Sequence, residues 1–259
     1  MAMATVQTTP ETLSEETIRT YRRQGFVRIP GVISPAEATE MREAALALST
    51  RMESLSKTGI FTQLVNVWRE DETLRRLTMH QNVAGVAERL AGVPLRLWHD
   101  QILIKQPHNN RPTEFHQDQP FWPHARSPHS LSAWIALVDV PVERGCMTFL
   151  PGSHHRSAEF AGVDLEDPAA LLATAPDLVY CERVTLPLRA GDATFHHGHC
   201  AHMATPNLTD EPRVAHAVIF MDAGTRFSGA DHPVTEPLGL AAGDPLDGEL
   251  FPRATVAAG

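Results

Sequence analysis

The chain has 259 residues, of which 42% are hydrophobic and 20% are charged. This composition supports a sizeable core and excludes wholesale disorder. The 31 acidic residues outnumber the 22 basic ones, which gives a formal net charge of −9. Because nucleic acids and anionic membranes are bound through basic surfaces, we expect neither as a partner.

Helical patterns dominate the N-terminal third of the chain. The predicted elements are a loose tail over 1–11, helices over about 12–24, from residue 34, at 71–79 and at 81–91, and a short strand at 26–29. Thr12 and Glu15 have the spacing of a capping box, which predicts where the first helix begins. Ser34-Pro35-Ala36-Glu37 combines a cap, a proline and a glutamate at the positions typical of a helix start.

From residue 95 onwards the pattern changes to short strands separated by turns that contain proline and glycine. The predicted strands are 95–105, 131–140, 146–150, 178–186, 192–197 and 214–221. Helices followed by a run of strands indicate an α+β, mainly β fold, with an antiparallel sandwich or barrel as its main body. Residues 227–259 are predicted to form an irregular tail, so we expect one domain over 1–259.

The cysteines and the N-terminus indicate the compartment. Cys146, Cys181 and Cys200 are an odd number without paired spacing, so a disulfide framework is not expected. The first 16 residues lack the basic and apolar regions of a secretory signal, and no apolar run approaches the roughly 20 residues of a membrane helix. We therefore expect a cytoplasmic protein.

Histidines are concentrated in one part of the chain, since 12 of the 14 lie between His99 and His216. Within this part, His116 and Asp118 are two residues apart, and on a strand such side chains point to the same side. An imidazole nitrogen and a carboxylate oxygen together suit a divalent ion such as iron(II). A lone His-x-Asp triplet often arises by chance, so this pattern needs further support.

Further ligands have to come from elsewhere in the sequence. Four histidines are available at positions 196, 197, 199 and 202, and Arg213 follows a turn-like segment. If His202 ends one strand and Arg213 begins its antiparallel neighbour, the two side chains share a cavity. A keto acid that chelates the metal and directs a second carboxylate to the guanidinium would fit such a cavity.

Together these segments resemble the phytanoyl-CoA dioxygenase family of iron(II)- and 2-oxoglutarate-dependent oxygenases. The resemblance extends over roughly residues 14–222. The matching pieces are Phe115 to Pro123, Ala133 to Leu137, Gly145 to His154, and Gly191-Asp192 through His202 and Asn207 to Arg213. The family implies a double-stranded β-helix, which is a jelly-roll or cupin-like barrel, with the N-terminal helices packed on the sheet.

The resemblance also assigns roles to individual residues. It implies His116, Asp118 and His202 as the three iron ligands, which leaves positions for 2-oxoglutarate and dioxygen. It implies Arg213 as the partner of the far carboxylate of 2-oxoglutarate and Trp134 as a wall of the co-substrate pocket.

Other pocket residues are less closely defined by the family. Many members have serine or threonine two residues after the distal histidine, where this chain has Ala204. The candidates to replace that contact are Gln101, Thr148 and Thr205, and Lys105 is the alternative anchor for the carboxylate. Gln119, Phe121 and Trp122 follow the triad segment and are the candidate substrate-binding residues.

The implied reaction is oxidation of a small molecule, with hydroxylation as its expected form and succinate and CO2 as the co-products. Desaturation, epoxidation and cyclisation share its early steps. Halogenation is disfavoured, because Asp118 occupies a position that is alanine or glycine in related halogenases. Two alternatives are a cupin-type metalloprotein that uses His197 and His199, and a non-catalytic, zinc-stabilised binding module built around Cys200. The sequence predicts no particular oligomeric state.

Overall fold

A computed structural model describes residues 7–159, 167 and 169–255. The α-helices are α1 (Glu15–Gln24), α2 (Pro35–Ser49), α3 (Glu72–Thr78), α4 (Gln81–Ala91) and α5 (Ala170–Thr174). The strands are β1 (Phe26–Ile29), β2 (Thr62–Val65), β3 (Leu95–Lys105), β4 (Thr113–His116), β5 (Leu131–Ala136), β6 (Met147–Phe149), β7 (Val184–Leu186), β8 (Ala193–His197), β9 (His202–Ala204) and β10 (Arg213–Asp222). Short 3-10 helices span Val67–Arg69, Gln119–Phe121, Ser153–Glu159, Pro176–Tyr180 and Glu236–Leu238.

The first two helices show how local sequence sets their ends. The hydroxyl of Ser34 accepts the N–H of Glu37, and the Glu37 carboxylate accepts the N–H of Ser34, so the predicted helix start of α2 is confirmed. The predicted capping box of α1 is wrong, because Ser14 caps that helix. The Thr12 hydroxyl instead accepts the N–H of Thr9 in the preceding turn, at 2.8 Å.

The strands form two antiparallel sheets. The larger has the order β1-β8-β5-β10-β3-β2, and the smaller has the order β4-β9-β6-β7. Side chains of both sheets meet in one apolar cluster, which includes Trp134 and Ala217 from the larger sheet and Met147 and Phe149 from the smaller. The two packed sheets form the predicted double-stranded β-helix.

Strand β10 separates two cores. Val214, Val218 and Phe220 belong to the apolar cluster that contains the buried residues of α1 to α4, whereas Ala215, Ala217 and Ile219 belong to the cluster inside the barrel. This alternation follows from the strand period of two residues. The N-terminal helices therefore pack on the outer face of the larger sheet, as predicted, and leave its inner face for the site.

Two predicted strands are wrong in extent. The strand predicted over 131–140 ends at Ala136, and the one predicted over 178–186 begins only at Val184. Residues 176–180 form a 3-10 helix instead. There Leu178 is buried in a small apolar cluster, whereas Val179 and Tyr180 are exposed, so the burial does not alternate as it would on a strand.

The predicted tails are described only in part. Positions 1–6 and 256–259 lie outside the described residues, and between 227 and 255 the chain contains one 3-10 helix besides irregular structure. Within the described ranges, none of the helices combines the length and the apolar character needed to cross a membrane.

A buried polar group holds β3 against the helices. Asp100 is fully buried, and its Oδ2 accepts hydrogen bonds from the N–H of Trp68 at 3.0 Å and from the Thr78 hydroxyl at 2.5 Å. Nε2 of His216 lies 3.2 Å from the same oxygen. Removing this acceptor leaves buried donors without a partner, which is costly.

We expect Asp100→Ala to lower the free energy of unfolding by about 3 kcal/mol, since several buried donors lose their acceptor together. The measurement is urea unfolding followed by circular dichroism. Asp210→Ala is the control, because the side chain of Asp210 is 94% exposed, and a change within about 0.5 kcal/mol is expected there. Equal stabilities of the two variants would contradict the role of Asp100.

Candidate active site

A cavity of about 290 Å³ lies inside the barrel, between the two sheets. Of the residues singled out from the sequence, His116, Asp118, His202, Arg213, Trp134, Gln101, Phe121 and Trp122 line it. The cavity therefore brings together residues that are as far apart in the chain as Gln101 and Arg213.

Two histidines face each other across neighbouring strands of the smaller sheet. His116 ends β4 and lies directly opposite His202, which begins β9. Nδ1 of His116 is 2.7 Å from the carbonyl oxygen of Glu114, and Nδ1 of His202 is 2.9 Å from that of Cys200. Because a carbonyl only accepts, each Nδ1 carries the proton and each Nε2 presents a lone pair.

Asp118 completes the group from outside the strand. It has helical backbone angles (φ −76°, ψ −44°) at the start of a 3-10 helix, so the strand-period argument for His116 and Asp118 is wrong. Its Oδ1 nevertheless lies 3.6 Å from Nε2 of His116 and 3.7 Å from Nε2 of His202. One ligand atom from each of the three residues falls within 4.8 Å of the others.

The other carboxylate oxygen is held by Ser132, whose role the sequence did not indicate, and by His196, which the sequence suggested as a supporting group and not as a ligand. Oδ2 of Asp118 accepts a hydrogen bond from the Ser132 hydroxyl at 3.0 Å, and Nε2 of His196 lies 3.4 Å away. Ser132 is on β5 and His196 on β8, where they pair directly in the larger sheet. The larger sheet thereby orients Asp118, which follows strand β4 of the smaller sheet.

The electrostatics of this group favour a cation. Burial opposes ionisation of Asp118, but His202, His116 and His196 outweigh it and hold the pKa of the carboxyl well below its usual range. Burial, reinforced by His116, lowers the pKa of His202 to about 3. A carboxylate and neutral imidazole nitrogens that converge on one point form the donor set of a divalent transition metal.

Arg213 provides a buried positive charge to the same cavity. It begins β10, opposite Lys105 of β3, and its guanidinium carbon lies 5.2 Å from the ring centre of Trp134. Its Nη1 donates a long hydrogen bond to the carbonyl oxygen of Leu103 at 3.4 Å, and its buried Nε has no partner in the described part of the chain. No carboxylate among the described residues forms an ion pair with Arg213, and burial lowers its pKa to about 9.

The relation between His202 and Arg213 differs from the predicted one. The two residues do not lie on neighbouring strands, because β9 belongs to the smaller sheet and β10 to the larger. They share the cavity because the two sheets face each other. A pattern of strands and turns in the sequence does not reveal this pairing across the barrel.

Lys105 is buried next to Arg213 but lies outside the set of described residues that line the cavity. Its ammonium group donates to the carbonyl oxygens of Arg111, Ala204 and Thr205, at 3.0, 3.3 and 2.9 Å. Burial and the nearby Arg213 lower its pKa to about 7. With its donors used in this way, Lys105 is a weaker candidate than Arg213 for binding an anion.

Of the remaining candidate pocket residues, Gln101 is among the described residues that line the cavity, and Thr148 and Gln119 are not. Oε1 of Gln101 accepts from Nε2 of Gln63 at 2.6 Å. The hydroxyl of Thr148 lies 2.8 Å from that of Thr185, and Oε1 of Gln119 is buried without a partner.

The residues of the two alternatives, the cupin-type metal site and the zinc module, lie outside the cluster of His116, Asp118 and His202. Nε2 of His197 is 2.9 Å from the carbonyl oxygen of Pro128, and its Nδ1 accepts the N–H of His199. The buried thiol of Cys200 contacts the Ser153 hydroxyl and backbone carbonyls. In the described ranges, the cluster of His116, Asp118 and His202 is the one group of three such side chains with metal-binding spacing, so neither alternative is favoured.

Comparisons with known proteins define the class. The family model of phytanoyl-CoA dioxygenase (PhyH) matches residues 21–215, which is most of the chain. The chain therefore belongs to the phytanoyl-CoA dioxygenase family of iron(II)- and 2-oxoglutarate-dependent oxygenases.

Two solved structures and one curated protein illustrate which proteins this chain is similar to. SnoK, a non-heme alpha-ketoglutarate-dependent carbocyclase from nogalamycin biosynthesis, is 40% identical, with a TM-score of 0.86 over 96% of this chain and 100% of that one. The epimerase SnoN, solved with Fe3+, alpha-ketoglutarate and nogalamycin RO, is 39% identical, with a TM-score of 0.82 over 93% and 98%. Phytanoyl-CoA dioxygenase domain-containing protein 1 of Mus musculus is 30% identical over 163 residues, which are 61% of this chain and 56% of that protein. The chain thus spans little more than half of that curated relative.

Proposed function

We propose that this protein binds iron(II) through His116, Asp118 and His202, binds 2-oxoglutarate through Arg213, and hydroxylates a small organic molecule. The observation that carries the proposal is one cavity that holds both a converging His-Asp-His donor set and a buried guanidinium that has no anionic partner among the described residues. A ligand of opposite charge would stabilise each arrangement, because uncompensated buried charge is costly.

The donor set fits iron(II) in number and type. Two imidazole nitrogens and one carboxylate leave positions open for a bidentate keto acid and for dioxygen. Bound iron(II) would supply dioxygen activation coupled to the oxidative decarboxylation of 2-oxoglutarate to succinate. The chain itself fixes both imidazole rings through their Nδ1–H bonds and orients Asp118 through Ser132 and His196.

Arg213 fits the far carboxylate of 2-oxoglutarate. A guanidinium forms paired, charge-assisted hydrogen bonds with a carboxylate, and a buried site strengthens them. The Trp134 ring lies against the guanidinium, whose carbon is 5.2 Å from the ring centre. In the relative SnoN, iron and alpha-ketoglutarate are bound together, which supports the same pair of ligands here.

The first experiment is reconstitution without oxygen, followed by admission of air. Purified protein with iron(II) and 2-oxoglutarate is expected to form succinate, and a substrate is recognised by the stimulation it causes. Replacement of iron(II) by zinc is the control and should abolish succinate formation. Tight zinc binding with no iron-dependent succinate would support the zinc module and contradict the proposal.

A second candidate outcome is oxidation without oxygen insertion. It is favoured by the 40% and 39% identities to a carbocyclase and an epimerase. Isotopically labelled dioxygen separates the two outcomes: label in the organic product supports hydroxylation, and an unlabelled ring-closed or epimerised product supports the second candidate.

We expect Ser132→Ala to weaken iron(II) binding about tenfold, because residues that orient a metal ligand contribute roughly ten- to hundredfold to metal affinity. Oxygen-free titration with iron(II) measures this. Ser130→Ala is the matched control, since Ser130 is also buried but its hydroxyl bonds to Ser127. Unchanged iron affinity in Ser132→Ala would show that the hydrogen bond to Asp118 plays no part.

The compartment and domain organisation are also proposals. We propose that the whole chain acts as one oxygenase domain with a small molecule as its partner, in a reducing cytoplasm. The three cysteines, which are free, support a reducing compartment.

A further inference from the structure

Two further histidines, His99 and His232, line the cavity without belonging to the metal cluster. His99 lies on β3, and His232 lies in the irregular C-terminal segment. Their ring centres are 6.0 Å apart, and the Trp98 ring packs against both, at 5.7 and 5.2 Å. The proposed function gives these two rings no role.

Hydrogen bonds fix a different tautomer for each ring. Nδ1 of His99 lies 3.3 Å from the carbonyl oxygen of Asp100, and because a carbonyl only accepts, this nitrogen carries the proton. Nδ1 of His232 accepts the N–H of Val234 at 3.2 Å, so it has no proton. Burial lowers the pKa of both rings to about 4, and each neutral ring therefore carries a single N–H.

The two Nε2 atoms consequently have opposite roles. Nε2 of His99 presents a lone pair, whereas Nε2 of His232 presents an N–H. In the part of the chain that the structure describes, neither atom has a hydrogen-bond partner. Among the described lining residues, the cavity wall thus carries one free acceptor and one free donor, on two rings whose centres are 6.0 Å apart.

We propose that His99 and His232 form a substrate-recognition pair that binds a hydroxyl group on an uncharged, flat ring system. This inference rests on the proposed function and names its substrate class. A hydroxyl oxygen accepts from His232 while its proton is donated to His99, so one group satisfies both atoms. An ether oxygen can accept the hydrogen bond from His232 but has no proton to donate to His99. A carboxylate also lacks that proton, and its negative charge is repelled by the lone pair of His99.

The surroundings of the pair favour such a ring system. Phe61, Phe121 and Trp122 also line the cavity and provide flat apolar surfaces that stack on aromatic ligands. Among the described lining residues the charged side chains are those of Asp118 and Arg213, and both already have proposed ligands. An anionic substrate would find no further cation there, and its desolvation would be uncompensated.

Three probes of similar size test the pair in wild-type protein: 2-naphthol, 2-methoxynaphthalene and 2-naphthoate. Dissociation constants are measured without oxygen on the iron(II)-loaded protein, with and without 2-oxoglutarate. We expect 2-naphthol to bind roughly fivefold or more tightly than the methyl ether, since a net hydrogen bond contributes about 1 kcal/mol. We expect 2-naphthoate to bind most weakly.

Phenylalanine variants assign the preference to individual residues. In His99→Phe the preference for 2-naphthol over the methyl ether should disappear, because the hydroxyl proton loses its acceptor. In His232→Phe both probes should weaken by a similar factor and the preference should remain. His155→Phe, at an exposed histidine, is the matched control and should change neither constant.

Equal binding of 2-naphthol and its methyl ether by the wild type would overturn the proposal, as would tightest binding of 2-naphthoate or no measurable binding of 2-naphthol. The wild-type comparison decides this even if a variant fails to fold. Affinity of the wild type for 2-oxoglutarate is measured in parallel. No measurable binding of 2-oxoglutarate would contradict the proposed function. Binding of 2-oxoglutarate without a preference for 2-naphthol would contradict the recognition pair alone.

Discussion

Asp118→Ala is expected to lose iron(II) and all 2-oxoglutarate-dependent oxidation. The variant removes one of three proposed protein ligands together with the negative charge that balances the metal, and leaves His116 and His202 to bind alone. We expect iron affinity to fall by more than about 100-fold, which is the upper end of the effect of losing a supporting residue. Iron content after oxygen-free loading and desalting, together with succinate formation, measures the loss.

Two histidine variants provide a matched pair for this experiment. His202→Ala should lose iron in the same way as Asp118→Ala, whereas His199→Ala should keep it, because His199 lies outside the metal cluster. Near wild-type turnover with full iron occupancy in Asp118→Ala would contradict the ligand assignment. Loss of iron in His199→Ala but not in His202→Ala would support the cupin-type alternative.

Arg213→Ala is expected to weaken 2-oxoglutarate binding about 30-fold or more while iron binding survives. Loss of one partner from a buried charged pair costs about 2–5 kcal/mol, and about 1.4 kcal/mol corresponds to tenfold. Arg213 is buried and stacked on Trp134, so water replaces the lost contact poorly. The dependence of succinate formation on 2-oxoglutarate concentration measures the effect.

Three comparisons make the Arg213 experiment specific. Arg213→Lys should restore binding only in part, because lysine keeps the charge but loses the planar fork. Lys105→Met should leave the 2-oxoglutarate requirement unchanged, and pyruvate, which lacks the far carboxylate, should be a poor co-substrate that is insensitive to Arg213→Ala. An unchanged requirement in Arg213→Ala with a raised one in Lys105→Met would place the carboxylate at Lys105 instead.

Elements with strong local signals were predictable from the sequence. Strand β3 has the predicted bounds, 95–105, and β10 lies within one residue of the predicted 214–221 at each end. Helix α2 begins where Ser34 and Glu37 place it. Each of these segments has enough residues for its period, or a cap of defined chemistry, to identify it without knowledge of the tertiary structure.

Three short strands and the contacts between the sheets were not predicted, although the short strands β1 and β6 were. Strands β2, β4 and β9 have four, four and three residues, which is too few to show a period. Asp118 reaches the cluster from a 3-10 helix, and His202 meets Arg213 across the barrel. These placements depend on how distant segments pack, which local patterns do not encode.

The residues that orient the metal ligands, or that line the cavity beyond them, were the hardest to identify from the sequence. Serine at position 132 and histidine at 196 are ordinary in buried strands until their contacts with Asp118 are known. The same holds for His99 and His232, whose roles depend on tautomers set by backbone groups of Asp100 and Val234. The high count of histidines between 99 and 216 indicated a site but did not separate ligands from supporting residues.

The most direct test of the central claim is a crystal structure of protein loaded with iron(II) and 2-oxoglutarate without oxygen, with the metal located by its anomalous scattering. We expect an iron peak in contact with Nε2 of His116, Nε2 of His202 and the carboxylate of Asp118. The far carboxylate of 2-oxoglutarate should lie against the Arg213 guanidinium. Iron at His197 and His199, or a co-substrate carboxylate away from Arg213, would contradict the account.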